Sequence, residues 1–483
     1  MSATAGRPSV PAVTNRISTF SRIYGFGSIY AKTLRDSRLA FIIIAGLLGG
    51  LMLVAGGAIG SAFSTLQSRQ EMAKLAGDLP PILQGLAGKP VHVETLGGYL
   101  SWKYGPFFIF IAALWSILAL SGTLASEARR GSLEFVAAAP FGRRRLALEK
   151  LSAHLTAMAG VVVIMALSSW VTGAAFGRLP GDEISLQASV AFALWVGLMS
   201  LVSGSVAFAL SPYLGRAASA GIAGFILFAG YLFNGYKDVV PAFAVPANLS
   251  WFDWTAGHLP LAGLFDWVSL VPVAIVAVVL FAVGIEAFSR RDLGDTSSLG
   301  LPGLSSNLLG LRGPVGRAFG ERLTGGLWWG IGLGIFGLVI AASSRALTDE
   351  FARLSPDMIT LFRNIFPTID ITSAGGFLQL VFVQIGFIIV GFAGATFVSG
   401  WASDETSGRL DMLLATPLAR SSWAVRSGIG VLLAIALMNF IFAVAVGAGA
   451  VMAGSDAITP MLGSATLGLY AAALAGVGFA IEI

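Results

Sequence analysis

Apolar stretches of bilayer length recur along this 483-residue chain, and short polar stretches separate them. Roughly 20 apolar residues suffice to span a membrane. Runs of that kind cover about 39–64, 105–126, 150–176, 187–211, 216–236 and 265–288, and then about 327–344, 377–400, 424–453 and 461–483. The pattern predicts ten spans, all helical, because lipid offers no partner for an unpaired backbone amide. Between the sixth and seventh runs, residues 293–320 are rich in Gly, Ser and Leu and contain prolines, which reads as a connector. Ahead of the first run, Phe20, Ile23, Tyr24, Tyr30 and Leu34 alternate with Arg22, Lys32 and Arg35 at roughly helical spacing. This predicts an amphipathic helix over 18–37 lying on the membrane surface, after a disordered N terminus over 1–17.

Composition agrees with the pattern. The chain is 56% hydrophobic and only 11% charged, which excludes an ordinary soluble globule. It has no cysteine, so disulfides and Cys-ligated metals are excluded. The net charge of +5 does not point to nucleic acid, because the basic residues sit mainly in the polar stretches flanking spans. With the N terminus inside, 21 of the 30 Lys and Arg residues fall in cytoplasmic segments. That asymmetry sets the expected orientation. Residues 1–37 lack the compact apolar core of a signal peptide.

Two of the polar stretches, 277 residues apart, say nearly the same thing. Residues 125–143 read ASEARRGSLEFVAAAPFGR and residues 402–420 read ASDETSGRLDMLLATPLAR, with seven of nineteen positions identical and two more keeping a carboxylate. Each predicts a short helix capped by Ser126 or Ser403, with carboxylates in its first turn and a stop at Pro140 or Pro417. Arginines that only fix topology would not need Gly, Leu, an acid and Pro in register. The outer segments also correspond, Met72-Ala73-Lys74-Leu75 with Phe351-Ala352-Arg353-Leu354, as do Ser37-Arg38-Leu39 and Glu321-Arg322-Leu323. A repeat of six spans leaves both halves in the same orientation, related by an axis along the membrane normal. A complete second half would need about two more spans, on the order of 80 residues, and a ten-span protein is the competing expectation.

The pattern acid-x3-Gly-x-Leu-acid-x5-Pro-x2-Arg after the second span resembles the ABC-2 type permeases of drug and antibiotic export. The two-in-one-chain layout is similar to the tetronasin-type polyketide antibiotic exporters of actinobacteria. The resemblance implies an all-α polytopic membrane protein of two parallel six-span ABC-2 permease halves, at 38–292 and 321–483, the second incomplete at its C terminus with ten spans visible. It implies that the repeated segments are coupling helices docking on an ABC nucleotide-binding subunit, two copies in all. The first would use Glu127, Gly131, Leu133, Glu134, Pro140 and Arg143; the second Asp404, Gly408, Leu410, Asp411, Pro417 and Arg420. Asp404 is followed by Glu405 where the first copy has one acid, which leaves the leading carboxylate of the second copy ambiguous. The family also places an elbow helix where the amphipathic helix is expected. ATP and Mg would then be held by the partner chain, with no cofactor, metal or catalytic residue in this one.

The residues themselves say part of this. No Gly-x4-Gly-Lys-Ser/Thr phosphate loop occurs in the sequence. No row of intramembrane acids or histidines marks a proton relay. Glu286 and Glu482 lie near span ends, where snorkelling explains them, and His154 near the start of span three reads as structural. Aromatics gather in spans two, five and eight: Phe107, Phe110 and Trp115; Phe225, Phe228 and Tyr231; and Phe382 beside Gln384. Drug-like ligands favour cavities of that kind, although aromatics also simply pack between helices. Asn439 reads equally as helix–helix glue or ligand contact. Trp102, Trp251, Trp254 and Trp267 fit an interfacial belt. The expected function is the permease subunit of an ATP-driven exporter of hydrophobic drugs or antibiotics in the plasma membrane, embedded in lipid, with a cytoplasmic N terminus and no nucleic-acid partner. A proton-coupled secondary transporter and a non-transporting membrane assembly subunit are the alternatives.

Overall fold

With no water to pair a bare backbone, apolar runs of this length close their amide bonds along themselves. The computed structural model describes residues 28–78, 84–85, 88–129, 142–290, 313–351, 373–382, 386–406 and 419–482, and these are all-α with no strand. The short α1 (Ile29–Asp36) leads into α2 (Arg38–Ala62), and α3 (Leu66–Gly77) lies in the segment between spans one and two. There follow α4 (Leu96–Arg129), α5 (Arg143–Phe176), α6 (Leu186–Tyr236) and α7 (Leu270–Arg290). The remainder comprises α8 (Pro314–Phe351), α9 (Ala374–Val381), α10 (Phe387–Thr406), α11 (Arg420–Met452) and α12 (Ile458–Glu482). Spans four and five are the two arms of α6, broken where Pro212 removes a backbone donor and Gly215 adopts φ 74°.

Nine helices of membrane-crossing length and polarity occur among the described residues, at nine of the ten predicted positions. The tenth position, 377–400, carries α9 and α10, with residues 383–385 between them outside the described set. The predicted disordered N terminus, the first part of the amphipathic helix and most of the connector also lie outside it. α8 begins at Pro314, inside the predicted connector, and runs on through Gly316 and Gly320. Proline at a first helical position gives up nothing, because that amide has no helical acceptor.

Helix pairing follows one scheme along the chain. α2 packs on α5 and α8 on α11; α4 packs on α6, and α10 on α12. Lipid tails supply no hydrophobic drive between helices, so close approach depends on small side chains. A Cβ on Gly56 would lie 2.1 Å from Thr172 Cγ2, and one on Gly449 would lie 2.4 Å from the Leu338 carbonyl oxygen. Gly326, Gly330 and Gly334 recur every fourth residue along α8 and face α11. The α2 and α7 faces turned away from these seams expose Ile42, Val54, Val271 and Val278, as lipid contact requires.

The three connections opposite α1 pack into a distal cap over the first six spans. Arg69 of α3 meets Asp182, which follows α5, through two 3.3 Å contacts, with side chains only 2% and 1% exposed. Asp182 also accepts from the backbone amides of Leu96 (2.8 Å) and Leu179 (3.2 Å), while Arg69 Nε donates to the Phe63 carbonyl (2.8 Å). Lys89 pairs with Asp238 at 2.6 Å, and this contact holds the exposed Asp238 carboxyl below its usual range. Trp102, Trp251, Trp254 and Trp267 all lie in or beside this cap. Two of them donate to backbone carbonyls, Trp102 to Gly88 (2.7 Å) and Trp254 to Asn248 (2.8 Å).

His258 in the cap is fully buried, and its Nδ1 accepts the Asp266 amide proton at 3.0 Å. Burial lowers its pKa below 6.5, against a smaller opposing pull from Asp266. Above pH 6.5 the ring is neutral folded and unfolded alike, so it imposes no penalty. Below 6.5 the unfolded chain takes a proton that the folded cap refuses, so stability falls as pH drops. Protease protection of 237–269 is therefore expected to hold from pH 8 to about 7 and to decline toward pH 5. Equal protection across that range would show that His258 is not held neutral.

Candidate functional site

Both repeated polar segments begin in the last turns of membrane helices, α4 and α10. α4 continues through Arg129 and α10 through Thr406, so Glu127 and Asp404 lie in the last turns of these helices. This corrects the expectation that Ser126 and Ser403 cap separate helices. Neither Ala-Ser-Glu-Ala-Arg nor Ala-Ser-Asp-Glu-Thr contains a breaker, and a helix already formed propagates cheaply through such residues. Gly131, Leu133, Glu134 and Pro140, and likewise Gly408, Leu410, Asp411 and Pro417, lie outside the described residues. Arg143 and Arg420 open α5 and α11, the helices that follow the two segments.

The described surroundings of the first segment are braced on several sides. Arg145 Nε pairs with Glu149 Oε1 at 2.8 Å, one turn along α5. The other Glu149 oxygen accepts the Tyr30 amide proton at 3.3 Å, and the Tyr30 hydroxyl donates to Thr156 at 3.0 Å. These bonds hold α1 against the base of α5. From the opposite side, the turn between spans four and five brings Arg216 up to the end of span two, where a Cβ on Gly122 would sit 3.2 Å from its Nε. The surface helix and this turn thus both contact helices that lead into or out of the segment.

A second feature lies where the two sets of spans meet. The second arm of α6 packs against α8, with α10 also touching α6. Between them is a recess walled by Gly221, Phe225 and Phe228 on one side and Trp329, Leu333 and Phe336 on the other, with free volume of about 10 Å³. Of the aromatics expected to line a cavity, Phe225 and Phe228 do so. Phe110 and Tyr231 stand directly behind. Phe110 stacks on Phe228 at 4.7 Å and meets Tyr231 edge-on at 5.0 Å, closing a packed cluster with Phe252. Phe107 is half-buried on the same helix as Phe110. Trp115 lies elsewhere, 5.0 Å from the His154 ring, and Phe382 packs edge-on against Phe442. Gln384 is outside the described residues.

Three polar residues of the spans are accounted for by helix contacts. His154 shares a 3.0 Å hydrogen bond with Ser116 across spans two and three. Asn439 Nδ2 donates to the Ala465 carbonyl at 3.1 Å, which joins α11 to α12 as the glue reading expected. Glu286 pairs with Arg290 at 2.6 Å at the end of α7. Trp329 was not singled out from sequence. One tryptophan among eleven, in an apolar run, carries no signal until its neighbours across the seam are known.

Residues 311–482 match a family described as "Multidrug efflux system permease Rv1217c, C-terminal domain". That stretch is similar to an efflux permease domain. It takes in α8 to α12, including the second polar segment. No curated protein matches the chain. Together with the apolar helices, the similarity supports a multi-pass transmembrane permease of a multidrug efflux system, a transport subunit rather than an enzyme.

Proposed function

We propose that this chain is the membrane-spanning permease of an ATP-driven exporter of hydrophobic drugs or antibiotics, of the ABC-2 type and with two fused halves, 38–292 and 321–483. It lies in the plasma membrane with α1 on the cytoplasmic face. The observation that carries this reading is the repeated acid-Gly-Leu-acid-Pro segment at matching ends of spans two and eight, with a similar order of spans around each copy. Such segments would seat two partner ATPase subunits, which bind ATP and Mg. Closure of the partners would push on Glu127 and Asp404, at the ends of α4 and α10, and so move both helices as levers. The seam between the second arm of α6 and α8 would open to one side or the other, carrying an apolar ligand between membrane faces.

Glu134→Arg combined with Asp411→Arg reverses one carboxylate in each segment. Repulsion at both docking sites is expected to reduce partner-dependent, drug-stimulated ATP hydrolysis at least about tenfold, since like charges brought together at an interface cost several kcal/mol. Thermal unfolding of the permease itself should stay unchanged. Full ATPase coupling in the double variant would remove the segments from the mechanism.

A further inference from the structure

The recess at the seam contains an unmet demand. Trp329 is only 2% exposed, and among the described residues its buried indole Nε1 has no hydrogen-bond acceptor. The ring is pressed against helix backbone, 3.5 Å from where Cβ atoms would stand on both Gly221 and Gly224, and edge-on to Phe392 at 5.5 Å. Leaving a buried N–H unpaired is costly, so such groups are rare and call for a reason. Water does not supply one: the free volume holds about one molecule, and a buried water needs two to four polar partners. The other side chains around this recess are phenylalanine and leucine, beside glycine, so among the described residues Trp329 brings the single polar side-chain group to its walls.

We propose that this recess is a ligand subsite for a flat aromatic, otherwise apolar compound with one hydrogen-bond acceptor, such as a ketone, and that the Trp329 N–H selects the acceptor. This rests on the export reading and specifies its substrate class. Phe225, Phe228 and Phe336 offer faces and edges for aromatic packing. A ligand with several polar groups would leave all but one unpaired. A pure hydrocarbon would leave the indole unpaired. Alignment of Arg322 with Arg38 places Trp329 opposite Ala45 of the first half, so the donor occurs once and the two halves are unequal in recognition. In the present conformation the recess is small, about 10 Å³, and a ligand enters as the α6–α8 seam parts.

The test uses the purified full chain in lipid nanodiscs without nucleotide. Benzophenone serves as the photolabel, with fluorenone and fluorene, one ring system with and without a carbonyl, as competitors. Labelled peptides are expected to map to 221–228 or 329–336. Fluorenone is expected to block labelling at a concentration roughly five- to tenfold lower than fluorene, the worth of one hydrogen bond. In Trp329→Phe, which keeps an aromatic ring and removes the N–H, the two competitors should come within about twofold of each other. Labelling confined to other segments, equal competition in the native chain, or a preference that survives Trp329→Phe would each overturn the assignment. The first two results need no variant, so misfolding of Trp329→Phe does not shield the proposal. Because ATP plays no part here, failure of this test sinks the subsite and leaves the export reading standing, whereas a native chain that brings down no drug-stimulated ATPase sinks the export reading.

Discussion

Asp182→Ala is expected to destabilise the first half by about 3–5 kcal/mol, the largest loss from any single side chain in the distal cap. The reason lies in what the aspartate leaves behind. Arg69 would remain buried at 2% exposure with no counter-charge, and the Leu96 and Leu179 amides would lose their acceptor. Removing one partner of a buried pair costs far more than removing both. Arg69→Met combined with Asp182→Leu should therefore recover a substantial part of the loss, short of the wild type because the two amides stay unpaired. Denaturant unfolding in detergent, followed by protease sensitivity of the cap, measures both. A single variant within 1 kcal/mol of the native chain would mean the pair is hydrated and only incidental.

Gly449→Leu is expected to be nearly as damaging, for a steric reason. A Cβ at this position would fall 2.4 Å from the Leu338 carbonyl oxygen, 2.8 Å from Ala341 Cβ and 3.0 Å from the Ala342 nitrogen. Two of these are backbone atoms that cannot swing aside. The α8–α11 seam would have to open, at a cost of about 1–3 kcal/mol or more for overpacking. Even Gly449→Ala should destabilise measurably. Gly476→Ala is the control, because a Cβ there meets nothing within 4 Å. Similar unfolding midpoints for Gly449→Leu and Gly476→Ala would show that α8 and α11 are not in backbone contact there.

Span positions were legible because hydrophobicity alone sets them, and nine of the ten predicted runs coincide with crossing helices among the described residues. What escaped the sequence has physical causes. The ends of α4 and α10 were misjudged because capping residues and helix-interior residues overlap, and Ser126 and Ser403 follow helices that nothing interrupts. The buried Arg69–Asp182 pair joins residues 113 positions apart. Charged residues in polar connections look alike whether buried or solvated. Gly326, Gly330 and Gly334 stand every fourth residue along α8, yet that spacing does not name α11 as the partner. The recess residues divided similarly: Phe225 and Phe228 stood out by aromatic density, whereas Trp329 depends on packing between halves that one-dimensional periodicity does not encode.

Export driven by a partner ATPase is tested most directly by purifying the intact protein with its native neighbours in mild detergent and measuring ATP hydrolysis. The expected result is a co-purifying ATPase whose rate rises with hydrophobic aromatic compounds and loses that response in the Glu134→Arg, Asp411→Arg variant. A stable permease that brings down no nucleotide-hydrolysing partner, and moves drug only when a pH gradient is imposed, would contradict it.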